Sequence, residues 1–121
     1  MAGTLPPCHM ILVVDKDNAI CSTTTQILRL AGYEAEAASD FCVARELLSR
    51  GDVALVLLDI GVDFSGMRRL GGIPDSTGVV LMCGCEDRRE IPRVGPTFLV
   101  KPVEPSRLLE VVKRELSKEI G

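Results

Sequence analysis

The sequence predicts a doubly wound α/β fold, a central sheet of five parallel strands with helices on both faces. Three observations predict it. Val53 to Leu58 is an unbroken apolar run of strand length, and a strand that is apolar at every position is one buried on both faces. Two further apolar runs, Met10 to Val14 and Phe98 to Val100, flank it in the chain. All three runs stop at a charge, Asp59, Asp15 and Lys101, and helix-period segments or short breaker-rich stretches separate them. Parallel strands joined by helical crossovers bring their carboxyl ends to one edge, which is where open α/β sheets place ligands and reacting groups.

The remaining elements follow in order. Residues 1–9, with Pro6 and Pro7, read as a flexible leader, and residues 10–121 as one domain. Asp17 and Asn18 offer N-caps for a helix reaching Leu30 or Ala31, with Ile20, Thr24, Ile27, Leu28 and Ala31 on its inner face and Gly32 at its end. Tyr33 to Ala38 alternates and reads as a short second strand despite weak β propensity. Ser39 and Asp40 cap a second helix to Arg50 whose inner face is Phe41, Ala44, Leu47 and Leu48, with Gly51 as its stop. After the central strand, Ser65 to Leu70 allows only a short helix before Gly71, Gly72 and Pro74. Val79 to Met82 reads as the fourth strand and Thr97 to Val100 as the fifth. Between them, Glu86 to Glu90 allows about one helical turn before Pro92, Gly95 and Pro96. Pro105 opens a last helix to about Lys118 that buries Leu108, Leu109, Val112 and Leu116.

Composition narrows the function. The 121 residues are 46% hydrophobic and 26% charged, an ordinary globular balance. The net charge of −3 gives no electrostatic basis for nucleic-acid binding. No apolar run approaches a membrane span and the amino terminus is not a signal peptide, so a cytoplasmic protein is expected. Five cysteines without a framework spacing read as reduced thiols. Cys83 and Cys85 are better explained as small packing residues than as a redox or metal pair, since two thiols fall short of a metal site. His9, the one histidine, lies in the leader.

With these elements in place, the residues resemble the receiver domain of bacterial two-component response regulators over essentially residues 10 to 118. Ile-Leu-Val-Val-Asp at 11 to 15 is similar to that family's first strand and acid, Val-Leu-Leu-Asp at 56 to 59 to its phosphoacceptor strand, and Phe-Leu-Val-Lys-Pro at 98 to 102 to its lysine-proline ending. The resemblance implies a flavodoxin-like sheet of order 2-1-3-4-5. It also implies a phosphorylation switch rather than an enzyme. Asp59 would take a phosphoryl group from a histidine kinase or phosphotransfer protein, Lys101 would pair with the phosphoryl oxygens, and Phe98 matches the switch aromatic. A magnesium ion would be held by Asp15, Asp59 and the backbone carbonyl of Gly61, with Asp17 as a further candidate ligand. Output would pass to an attached domain or a partner protein through the face running from strand four to the last helix.

The sequence departs from that pattern in several places. Lys16 stands in place of the second acid, so Asp15, Asp59, Lys16 and Lys101 balance without a metal. One charge at 4 Å is worth about 4 kcal/mol at an effective dielectric of about 20, so a magnesium site is expected to be weak or absent. Cys83 takes the position of the Ser or Thr that bonds the phosphoryl group, and a thiol is a poor donor. The loop after Asp59 lacks the usual proline and is a residue short. Too few residues separate Cys83 from Lys101 for a full helix, so the fourth helix is expected to be shortened or missing. Two functions therefore stand: a phosphoacceptor receiver with an impaired metal site, or a phosphorylation-independent pseudo-receiver acting as a protein-protein interaction module. A flavin- or nucleotide-binding enzyme on this fold would need a Gly, Ser or Thr-rich cradle after strand one, where Asp15-Lys16-Asp17-Asn18 would instead repel phosphate.

Overall fold

The sheet is organised around β3, Val53–Asp59, which is buried from Val53 to Leu58 and only partly covered at Asp59. Its continuous apolar run is explained by two-sided coverage. Leu55 and Leu57 pack with Ile11, Val13, Val80 and Met82 on one face, while Val56 and Leu58 pack with Leu12, Val14 and Leu81 on the other. In the computed structural model described here, covering residues 10–59, 73, 74, 76–83, 97–101 and 103–118, the other strands are β1 (Met10–Val14), β2 (Glu34–Ala38), β4 (Gly78–Cys83) and β5 (Thr97–Val100). At 83, 97, 98 and 118 only the backbone is described. The strand order is 2-1-3-4-5 and every neighbouring pair is parallel, as the sequence predicts.

Helices cover both faces. The helices α1 (Asn18–Leu30) and α3 (Pro105–Lys118) contribute Cys21, Leu28, Leu108, Val111 and Val112 to one core cluster. The helix α2 (Phe41–Ser49) contributes Ala44, Leu47 and Leu48 to the other. Both α1 and α2 stop ahead of glycines with left-handed backbone, Gly32 at φ 98° and Gly51 at φ 82°, a conformation glycine adopts without a Cβ penalty. β2 holds despite its alanines and glutamates because all five of its residues pair with β1, and Arg29 donates two hydrogen bonds, at 3.0 and 2.8 Å, to the Ala35 carbonyl. At the other end of the sheet, the buried Thr77 hydroxyl donates to the Val53 carbonyl at 2.9 Å and ties the entry of β4 to that of β3.

Some expectations change. The face that α1 buries most deeply is Cys21, Thr25 and Leu28, with Ile20, Thr24 and Ile27 only partly covered and Ala31 exposed as the C-cap. The helix sits close to the sheet through its small residues, which a reading weighted by hydrophobicity passes over. Val111 is fully buried in α3 beside Leu108 and Val112, while Leu109 and Leu116 are partly buried against the same cluster. Strand and helix ends differ from the sequence reading by a residue or so, within the usual ambiguity of element boundaries. The leader, the Ser65 to Leu70 helix and the Glu86 to Glu90 turn, and with it the shortened fourth helix, lie outside the described residues.

Asp17 caps α1. Its carboxylate accepts from the backbone N–H groups of Ala19 at 2.9 Å and Ile20 at 3.2 Å. Asp17→Ala leaves those donors to water, and the expected loss is about 1 kcal/mol of unfolding free energy, read as a lower urea midpoint with unchanged slope; an unchanged midpoint would contradict the capping role.

Candidate functional site

Register brings the charged strand ends together. Val14 lies beside Leu58 in the β1–β3 ladder and Cys83 beside Val100 in the β4–β5 ladder, so Asp15, Asp59 and Lys101 emerge at the same edge. The chain leaves β1 to one side for β2 and returns on the other side as β3, the topological switch point at which such sheets open a crevice.

The three side chains meet there. The Lys101 Nζ lies 2.8 Å from Asp15 Oδ2 and 2.9 Å from Asp59 Oδ1, bridging both carboxylates. The Asp15 side chain is 2% exposed, Asp59 16% and Lys101 22%. A buried carboxylate needs charge and hydrogen bonds together, and Asp15 has both: Oδ2 accepts from Lys101 and Oδ1 accepts from the backbone N–H of Asp17 at 2.9 Å. Burial pulls the Lys101 ammonium toward a lower pKa, but the hydrogen bonds and charges of Asp15 and Asp59 outweigh it and leave the group above its ordinary value.

Sequence reasoning missed one contributor. Cys21, one turn into α1, points its thiol at the carbonyls that close this corner: Sγ donates to the Asp15 carbonyl at 3.1 Å and lies 3.7 Å from that of Ala38. Burial pushes this thiol up in pKa, so it stays protonated as a weak donor. No spacing rule singles it out, since a buried helix cysteine reads as packing.

The other candidates fall in different places. Lys16 is exposed. The Asp17 carboxylate is turned to the α1 N–H groups as its cap. The backbone of Cys83 ends β4 and that of Phe98 lies in β5; their side chains, and Gly61, lie outside the described residues. Among the described residues, no cluster of three or more His, Cys, Asp or Glu side chains could hold a metal ion. Beside the pocket, an apolar cleft of about 480 Å³ runs between α1 and α3, walled by Ile20, Ile27, Met82, Val103 and Leu108 with Lys101 at its edge. No helix among the described residues is long and apolar enough to cross a membrane.

No family model matches the chain, and no curated protein matches it by sequence. Solved structures do. A CheY-like response regulator receiver domain protein from Methanospirillum hungatei is 27% identical with a TM-score of 0.77, covering 93% of this chain and 97% of that one. A response regulator receiver domain protein from Clostridium thermocellum is 20% identical with a TM-score of 0.75, at 93% and 97% coverage. NtrX from Brucella abortus is 26% identical with a TM-score of 0.80, and its match covers 93% of this chain but 28% of that longer one. The chain therefore has the fold of a response-regulator receiver domain, and its structural neighbours are the CheY-like receivers of two-component signalling.

Proposed function

We propose that this chain, from residue 10 onward, works as the receiver domain of a two-component response regulator, with Asp59 as its aspartyl phosphoacceptor and a weakened magnesium site. The observation that carries the reading is the Lys101 ammonium held 2.9 Å from Asp59 Oδ1 and 2.8 Å from Asp15 Oδ2 at the switch point of a receiver fold. In the transfer step an Asp59 carboxylate oxygen attacks phosphorus, a P–O bond forms as the P–N bond to a phosphohistidine breaks, and the departing imidazole takes up a proton. Lys101 lies where its charge can meet the phosphoryl oxygens. The transfer is expected to be slow, because two carboxylates against one ammonium leave an excess of negative charge facing an anionic group.

The donor set fits a divalent ion poorly. Both Asp15 oxygens accept hydrogen bonds, Asp59 Oδ1 is on Lys101, Asp17 caps α1, and an ammonium occupies position 16. The domain is read as a cytoplasmic, non-enzymatic signalling module, with a histidine kinase or phosphotransfer protein upstream and an output domain or partner protein met through the face from β4 to α3. One observation favours a second reading: Lys101 bridges the pocket's two acids from within, as a pseudo-receiver held in one state without phosphorylation would.

The test is the intact mass after incubation with acetyl phosphate, with and without magnesium, beside Asp59→Asn. A gain of one phosphoryl group that disappears in Asp59→Asn supports the phosphoacceptor. No gain under either condition removes that reading and leaves the pseudo-receiver.

A further inference from the structure

We infer that Lys101 is the resident cation of this pocket and competes directly with divalent ions for Asp15 and Asp59. The inference rests on reading the pocket as a receiver acid site, but not on whether Asp59 is ever phosphorylated. Its basis is the engagement of both Asp15 oxygens and of Asp59 Oδ1. A divalent ion needs several oxygen ligands at short range and gives up hydration only for strongly negative sites. Here Asp15 spends one oxygen on the Asp17 N–H and the other on Lys101 Nζ, and Asp59 Oδ1 meets the same ammonium.

To enter between the acids, an ion would have to evict Lys101 from two contacts of 2.8 and 2.9 Å, and among the described residues no third acid completes a metal-holding group there. Asp17 has its Oδ1 committed to the Ala19 and Ile20 N–H groups as the cap of α1, and position 16 offers a positive charge in place of a ligand. Lys16 is exposed, so it contributes repulsion at the mouth, whereas Lys101 contributes the competition inside.

The two roles separate by mutation. Lys101→Met removes the competitor and leaves two facing carboxylates; Lys16→Asp adds an acid where the chain has a base, at an exposed position that spares the fold. The probe is Mn²⁺, with free ion followed by electron paramagnetic resonance at millimolar concentrations. Wild type is expected to show no saturable uptake. Lys101→Met and Lys16→Asp are each expected to bind one Mn²⁺ at least about tenfold more tightly, and adding Asp59→Asn to either should abolish that gain. Saturable wild-type uptake of one ion that Asp59→Asn removes would overturn the inference. So would the absence of any gain in a Lys101→Met protein that keeps the wild-type circular dichroism. Because Mn²⁺ uptake is read without phosphorylation, a failed mass shift with acetyl phosphate would leave this result standing.

Discussion

Lys101→Met is expected to destabilise the domain by about 3 kcal/mol, a large part of the whole stability of a domain this size. The reason is Asp15. Its side chain is 2% exposed and its only charged partner among the described contacts is the Lys101 ammonium. Removing that ammonium leaves two carboxylates at one sheet edge with the buried one uncompensated, and the cost is set by the stranded charge more than by the lost ion pair. Asp59→Asn should cost far less, because the Asp15–Lys101 pair survives it and a facing negative charge is gone. The double variant Asp15→Asn, Lys101→Met should recover more than half of the Lys101→Met loss, since no charge is then stranded. Urea midpoints for the four proteins decide the matter; equal losses for Lys101→Met and Asp59→Asn would contradict this account of the pocket.

The same variant has a pH signature. Asp15 and Asp59 hold the folded-state pKa of Lys101 above its ordinary value. The stability that Lys101 contributes is thus fully present below the unfolded-state pKa of lysine and is lost as pH rises through the folded value. Wild type should lose stability steeply above about pH 10. Cys21 adds to the alkaline loss, since burial raises its pKa and the unfolded chain ionises that thiol first. Lys101→Met removes one contribution and leaves the other, so its alkaline slope should be shallower; parallel slopes would assign the whole effect to other groups.

What could be read from the sequence, and what could not, divides along physical lines. The strands ending in Asp15, Asp59 and Lys101 were legible because two-sided burial demands uninterrupted apolar runs, and a charge ending such a run marks a strand mouth. The order of the strands was legible through the resemblance those motifs carry. Asp17 showed two competing roles, cap and ligand, and local geometry decides between them: its carboxylate is only one turn's start from the Ala19 and Ile20 N–H groups. The inner face of α1 was misread because Cys21 and Thr25 count as weakly hydrophobic or polar, yet their small size lets the helix approach β1 and β2. Periodicity reports which side is apolar, whereas depth depends on the shape of the surface opposite. The bridging position of Lys101 was beyond any pattern rule, since it depends on where a long side chain comes to rest between two strands distant in sequence.

Leu57→Ala is expected to cost about 3 kcal/mol, comparable to Lys101→Met but by a different route. Leu57 is fully buried in the middle of β3, between Val13 of β1 and Val80 of β4 in the ladders. The core cluster it belongs to draws on all five strands and two helices, so truncation leaves a cavity that no single element can close by moving. Leu30 is the control. It belongs to the same residue type and ends a helix predicted as amphipathic, but it is 89% exposed, and Leu30→Ala should change stability by less than about 0.5 kcal/mol. The pair tests whether β3 is truly two-sided. If Leu57→Ala were as mild as Leu30→Ala, the face of the sheet under α1 and α3 would be loosely packed, and Asp59 at the end of that strand would lack the rigid support that a site bridged at 2.8 and 2.9 Å requires.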